Sequence, residues 1–184
     1  MSLITIFLLA VGLGVDAFSV AIAAGAAAAQ RTWRPVLRLS LAFGFFQFIM
    51  PLLGWLAGAT IAFLIHRFAH LVAFILLAAI GGKMIYDGCS KDHPRQKVDP
   101  TRGWALLGLA VATSIDALAA GFSISLLRSP ILFASVIIGL VCFVMTALGM
   151  VFGKALARLL GNKAEIAGGL VLIIIAVKIL VEHG

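Results

Sequence analysis

The sequence has little charge and few acidic residues. Of its 184 residues, 11% are charged and only 7 are Asp or Glu, whereas 63% are apolar and the mean hydropathy is +1.18. Soluble domains typically have about a quarter charged residues and about half apolar residues. The composition therefore excludes an ordinary soluble domain and predicts an all-α integral membrane protein whose surroundings are the lipid bilayer.

Cysteine is almost absent, with Cys89 near a predicted helix end and Cys142 inside a predicted span. Neither has a Cys or His nearby at the spacing of a metal site. This excludes a zinc site and a structural disulfide as explanations of the fold, and the sequence predicts no cofactor.

Six apolar stretches are long enough to cross a bilayer, because about 20 apolar residues span the hydrocarbon core. Backbone in lipid must satisfy its own hydrogen bonds, so each stretch is predicted to be a helix. In chain order, the predicted spans are Leu3 to Ala26, Val36 to Ile65, Ala69 to Tyr86, Trp104 to Leu127, Ile131 to Leu156 and Ala164 to Val181.

The basic residues lie in short connections between the spans, which argues for orientation in the membrane and against nucleic-acid binding. Ten of them fall on one predicted side, and only Arg67 and Arg128 fall on the other. The richer side is predicted to be cytoplasmic, with both termini outside the cytoplasm. The ten are Arg31, Arg34, Arg38, Lys91, Arg95, Lys97, Arg102, Lys154, Arg158 and Lys163.

The sequence repeats itself. The segment around Asp16 resembles that around Asp116 at an offset of 100, and several later residues recur at an offset of 95, among them Gly44 as Gly139 and Gly54 as Gly149. A unit of three spans must re-enter from the opposite face, so the repeats are predicted to be inverted. We predict a first three-helix repeat at 1–88, a cytoplasmic linker at 89–103 and a second repeat at 104–184.

Asp16 and Asp116 each lie in the middle of a predicted span. A charged carboxylate there costs about 2.5 to 3.5 kcal/mol on insertion scales, so each needs a partner within the protein. Ser19 and Thr113 share their helix faces, and this oxygen-rich set suits Mn²⁺, Mg²⁺ or Ca²⁺. The alternative is that each aspartate only bonds a neighbouring helix.

Three further polar residues are candidates. Gln47 precedes Pro51 by four residues and is either a metal ligand or an interhelical hydrogen-bond donor. Lys83 lies four residues before Asp87, and Lys178 lies four residues before Glu182. This spacing favours ion pairs at the membrane interface, and a gating role for the lysines is the alternative.

The chain resembles the MntP-type manganese efflux pumps, which are small six-helix exporters of the bacterial inner membrane. The matching segments cover nearly the whole chain in order: GVDAFSVAIAAG at 14–25, PLLGWLAG at 51–58, GGKMIYDG at 81–88, ATSIDALAAG at 112–121, and AEIAGGLVLIIIAVKILVEH at 164–183. The resemblance implies that the chain is a transporter rather than an enzyme, that Mn²⁺ is its substrate, and that Asp16 and Asp116 are the acidic site residues. Some similar proteins have an acidic residue where Gln47 stands.

The predicted mechanism is alternating access around the two aspartates, with Mn²⁺ leaving the cytoplasm. Exchange for protons is compatible with it, because two neighbouring carboxylates in a low-dielectric site would not both stay ionised without the metal. Transport driven by the membrane potential is an alternative, as is export of another solute such as an amino acid. An intramembrane aspartyl protease also uses two aspartates, but Val15 and Ile115 stand where those enzymes have a glycine before one of them. The sequence does not predict an oligomeric state.

Overall fold

The computed structural model is all-α, and it describes residues 2–27, 33–89, 100–126, 131–160 and 163–183. Within these residues the chain forms six helices. They are α1 (Leu3–Ala27), α2 (Arg34–Cys89), α3 (Gly103–Ala112), α4 (Ile115–Leu126), α5 (Ile131–Leu160) and α6 (Lys163–His183). Most of the predicted linker lies outside the described residues, as do the side chains of Asp87 and Glu182.

Four segments are long and apolar enough to cross a membrane. They are Leu3–Ala27, Arg34–Ala57, Gly103–Ser125 and Ile131–Leu156. The third and sixth predicted spans correspond to the shorter apolar helical segments Leu77–Tyr86 and Ile166–Lys178. The prediction of a helical protein that crosses the membrane several times is therefore confirmed in outline.

The break predicted between the second and third spans is absent, because α2 is helical throughout. However, α2 is not straight. Gln47 contacts Leu13 on α1, and Met84 lies beside Gly168, whose position also abuts the Ala23 carbonyl. Leu13 and Ala23 are about 15 Å apart along α1, whereas a straight helix would separate Gln47 from Met84 by about 55 Å. Helix α2 therefore bends back between its two apolar parts.

The fourth predicted span was expected to be one helix, and this expectation was wrong. Thr113 and Ser114 form a turn that separates α3 from α4. The Ser114 hydroxyl donates to the Ala110 carbonyl at 2.6 Å, and the Thr113 hydroxyl donates to the Leu109 carbonyl at 2.9 Å. Hydroxyl side chains that bond to nearby carbonyls compete with the backbone hydrogen bonds of a helix, which is the physical reason for the break.

The first part of α2 and helix α5 cross at two glycines. A methyl group at Gly44 would lie 3.0 Å from Phe143 Cβ, and one at Gly139 would lie 2.9 Å from Phe48 Cβ. Gly44 thus meets the later α5 residue Phe143, and the later α2 residue Phe48 meets Gly139. The two helices are therefore antiparallel. Glycine is needed at this crossing since the two backbones approach too closely for a side chain.

Helices α1 and α5 run parallel and pack tightly. The Gly14 position faces the Met145 sulfur, and the Gly149 position faces the Phe18 carbonyl at 2.6 Å. The first part of α2 packs in the same way on α4, where Gly54 faces the Leu118 carbonyl. These four elements, with α3, surround the predicted site.

Candidate functional site

Gln47 lies at the centre of the candidate site. It is fully buried on α2, and its Nε2 donates to the Leu13 carbonyl of α1 at 3.2 Å and to the Thr113 carbonyl at 3.4 Å. One amide group thus joins the middle of α1 to the break between α3 and α4. The Gln47 Oε1 atom is buried without a hydrogen-bond partner among the described residues.

Both aspartates follow these carbonyls by one helical turn. Asp16 lies three residues after Leu13 in α1, and Asp116 lies three residues after Thr113, in the first turn of α4. Both side chains are partly exposed. Since the two carbonyls lie within 3.4 Å of one nitrogen, the helix turns that precede the two acids meet at Gln47.

The break between α3 and α4 frees backbone groups beside Asp116. The Ser114 N–H donates to the Val111 carbonyl, three residues earlier, at 3.0 Å, so the helical pattern of hydrogen bonds is interrupted at the turn. The N–H groups of Ile115, Asp116 and Ala117 lie in the first turn of α4, where they have no partner within that helix. The negative end of one short helix and the positive end of another therefore meet where Asp116 lies.

The side chains and backbone atoms at this place offer oxygen ligands of three kinds. They are two carboxylates, the Gln47 amide oxygen and the Thr113 backbone carbonyl. Oxygen ligands suit Mg²⁺, Ca²⁺ and Mn²⁺. No group of three or more His, Cys, Asp or Glu residues that could hold a metal occurs in the described part of the chain. A cation here would thus depend on the two acids and on neutral oxygens.

The hydroxyl groups of two predicted ligands donate to backbone carbonyls three or four residues earlier in the chain. The Ser19 hydroxyl donates to the Val15 carbonyl at 2.9 Å, and the Thr113 hydroxyl donates to the carbonyls of Leu109 and Ala110. Thr113 is nevertheless at the site, because its carbonyl accepts from Gln47. The structure thus brings Thr113 and Gln47 together, whereas the Ser19 hydroxyl bonds within its own helix.

The two predicted gating lysines lie on exposed faces. Lys83 is in the second apolar part of α2, and Lys178 is in α6. The acidic residues proposed to pair with them have side chains outside the described residues, so the predicted ion pairs stay predictions.

An apolar cavity of about 320 Å³ lies at the crossing of α2 and α5. Leucine, valine, phenylalanine and glycine residues line it, including Phe45 and Leu140. It offers no side-chain oxygen and does not suit a divalent cation.

Comparison with known proteins identifies the family. A family described as "Putative manganese efflux pump" matches residues 30–180. The chain belongs to the MntP family. Proteins named as putative manganese efflux pumps from Syntrophotalea carbinolica and Methanosarcina mazei are each 46% identical to it, over 100% of this chain and 98% of theirs. A third from Rippkaea orientalis is 43% identical over 99% of this chain and 97% of its own. No solved structure matches.

Membership of the MntP family confirms the resemblance found in the sequence, and with it the prediction of a transporter rather than an enzyme. It also agrees with a manganese ion as a transported substrate rather than a bound cofactor. The described helices fit a multi-pass membrane protein, as this family requires.

Sequence reasoning missed the backbone contribution to the site. The break at Thr113 and Ser114 was not predicted, although two adjacent hydroxyl residues in an apolar span were a usable signal. The Leu13 carbonyl had no such signal, because α1 is continuous there and only the contact with Gln47 reveals it.

Proposed function

We propose that this MntP-family chain exports Mn²⁺ from the cytoplasm across the bacterial inner membrane. Asp16 and Asp116 bind the ion between α1 and α4, with Gln47 Oε1 and a carbonyl at the α3 end as neutral ligands. The observation that carries this proposal is the Gln47 amide, which bonds to carbonyls one turn before each aspartate. The names of the relatives supply the choice of manganese.

We further propose that two inverted three-helix repeats form the transporter. Residues that match at the offsets of 95 and 100 make matching contacts: Gly44 meets Gly139, and Gly54 meets the Leu118 carbonyl as Gly149 meets that of Phe18. Leu13 and Thr113, which also match, bond to the same Gln47 nitrogen. These contacts support an axis in the membrane plane that passes near Gln47.

In this mechanism the two repeats rock around the central site, so that it opens first to the cytoplasm and then to the outside. Protons entering from outside neutralise the carboxylates and release the ion. The short helix ends beside Asp116 let the site rearrange, because their backbone groups are not held by a helix ladder. Lys83 and Lys178 lie at helix surfaces where they could pair with acidic groups as the repeats move.

The test is Mn²⁺ flux in proteoliposomes containing the full chain. We expect Asp16→Asn and Asp116→Asn each to reduce flux by about 100-fold or more, since each removes a charged ligand worth several kcal/mol in a low-dielectric site. Asp→Asn keeps the side-chain volume, so the amount of folded protein should not change. Wild-type flux in both variants would refute the site.

Two further conditions separate the alternatives. An imposed proton gradient should accelerate export if protons are exchanged, whereas a dependence on membrane potential alone would contradict proton exchange. Flux that resists excess Mg²⁺ and amino acids would support manganese as the substrate. Export of an amino acid without Mn²⁺ transport would overturn the proposed function.

A further inference from the structure

Three buried side-chain atoms in the described residues have no hydrogen-bond partner. They are Gln47 Oε1 and the hydroxyl oxygens of Ser40 and Ser135. Ser40 and Ser135 are completely buried. In native proteins such groups are rarely left unpaired, and water or an ion usually satisfies them.

The two serines occupy matching places on the antiparallel pair of helices. Ser40 lies one turn before Gly44 on α2, and Ser135 lies one turn before Gly139 on α5. Because the helices run in opposite directions and cross at these glycines, the serines lie on opposite sides of the crossing. Gln47 is seven residues after Ser40, two helical turns along the same face of α2.

Other hydroxyl side chains near the site behave differently. Those of Ser19, Ser114 and Ser123 each donate to the carbonyl four residues earlier in the chain, at 2.6 to 3.0 Å. This is the usual way in which serine is satisfied inside a membrane helix. The Ser40 and Ser135 hydroxyls do not make this bond, so each lacks the partner that a buried hydroxyl normally has.

We propose that Ser40 and Ser135 are way stations for a hydrated divalent cation, one on each access path to the central site. Both serines are enclosed in this conformation. When the repeats move and one side opens, the hydroxyl on that side would hydrogen-bond to a water of the ion's hydration shell, Ser40 on the side where α2 begins and Ser135 on the side where α5 begins. Neutral hydroxyls suit this role, because they hold hydration water without binding the ion tightly. The proposal rests on the proposed export function and adds the two paths to it.

The first test replaces each serine with alanine. Removing an unpaired buried hydroxyl is neutral or stabilising for a fold, so Ser40→Ala and Ser135→Ala should unfold at or above the wild-type temperature. Mn²⁺ flux should nevertheless fall by about fivefold or more in each. The matched control is Ser123→Ala, whose hydroxyl bonds within its own helix and whose flux should stay within about twofold of wild type.

The second test asks from which side each position is reached. Ser40→Cys and Ser135→Cys are made separately in a background of Cys89→Ser and Cys142→Ala, and charged methanethiosulfonate reagents are added to vesicles of opposite orientation. We expect labelling of Ser40→Cys from the α2-start side and of Ser135→Cys from the opposite side. Mn²⁺ should slow both reactions.

Wild-type Mn²⁺ flux in both alanine variants would contradict the proposed role of the two serines. Labelling of Ser40→Cys and Ser135→Cys from the same side, or of neither, would contradict it as well. This failure differs from failure of the proposed function. If the aspartate variants lose flux while the serine variants keep it, only the way stations are wrong. If the aspartate variants keep flux, the central site itself is wrong.

Discussion

Helix α1 and the pair α3 and α4 occupy matching places in the proposed repeats, yet they differ at one point. Helix α1 continues through Leu13 and Gly14 without interruption, whereas the matching residues Thr113 and Ser114 form a turn. Asp16 consequently lies in the middle of a helix, and Asp116 lies in the first turn of a new one. The two acids are matched in sequence but not in backbone surroundings.

This difference changes the electrostatics of the two carboxylates. Asp116 lies at the positive end of the α4 dipole, which stabilises a negative charge there. Asp16 has no helix end near it and depends on interactions elsewhere in the protein. The two carboxylates therefore lie in different electrostatic surroundings, although their positions match in the sequence.

The packing of the two regions does not show the same difference. Gly54 of α2 meets the Leu118 carbonyl of α4, and Gly149 of α5 meets the Phe18 carbonyl of α1. The backbone difference between the two regions therefore lies at the turn at Thr113 and its surroundings, while the helix contacts around it are alike. A transporter built from two matched repeats can adopt either of two states when the backbones of the repeats differ locally while their helix packing stays alike.

The largest effect is expected from filling the matched glycine contacts. Gly54→Ala and Gly149→Ala each force a methyl group against a backbone carbonyl and should destabilise the protein by about 1 to 3 kcal/mol. Gly54→Ala should be the worse of the two, because its methyl group would lie closer than the 2.6 Å found at Gly149. Thermal unfolding in detergent measures both.

The matched control for these variants is Gly12→Ala, whose methyl group would meet nothing within 4 Å. Alanine favours a helix over glycine by up to about 1 kcal/mol, so this variant should unfold no earlier than wild type. If Gly54→Ala or Gly149→Ala proved as stable as Gly12→Ala, the close packing of the two regions would be incorrect.

A smaller effect is expected at the residue that joins the two regions. Gln47→Met keeps a long unbranched side chain but removes the donor to the Leu13 and Thr113 carbonyls. We expect about a tenfold loss of Mn²⁺ flux with little loss of stability, because the unpaired Oε1 atom is removed at the same time. The measurement is flux per folded protein in proteoliposomes.

Cys142 provides the comparison, because it matches Gln47 at the offset of 95 and lies against the Gln47 side chain, but its thiol bonds with Thr146 rather than with these carbonyls. Cys142→Ala should leave flux within about threefold of wild type. Equal losses in Gln47→Met and Cys142→Ala would mean that packing at the crossing matters, rather than the amide bridge.

The sequence predicted the membrane class and the family, because the first depends on composition and the second on motifs that cover nearly the whole chain. It did not predict the continuity of α2 or the break before Asp116. Both depend on small differences between competing hydrogen bonds, such as that of the Ser114 hydroxyl to the Ala110 carbonyl. The role of Gln47 as a bridge needed the contacts between α1, α2 and the turn, which spacing along one chain does not determine.

The smallest expected effect concerns the turn itself. The Asp116 and Ala117 amides lie in the first turn of α4, where they have no partner within that helix, whereas Asp16 and Ala17 lie inside continuous α1. We expect the first pair to exchange hydrogen for deuterium about five- to tenfold faster, which corresponds to one lost hydrogen bond of about 1 kcal/mol. Residue-resolved exchange of the protein in lipid nanodiscs measures the ratio. Mn²⁺ should slow exchange at the turn more than in α1, because ion binding orders the unpaired groups beside Asp116. Equal exchange in the two segments, with and without Mn²⁺, would mean that the two regions are equivalent and that the break plays no part in binding.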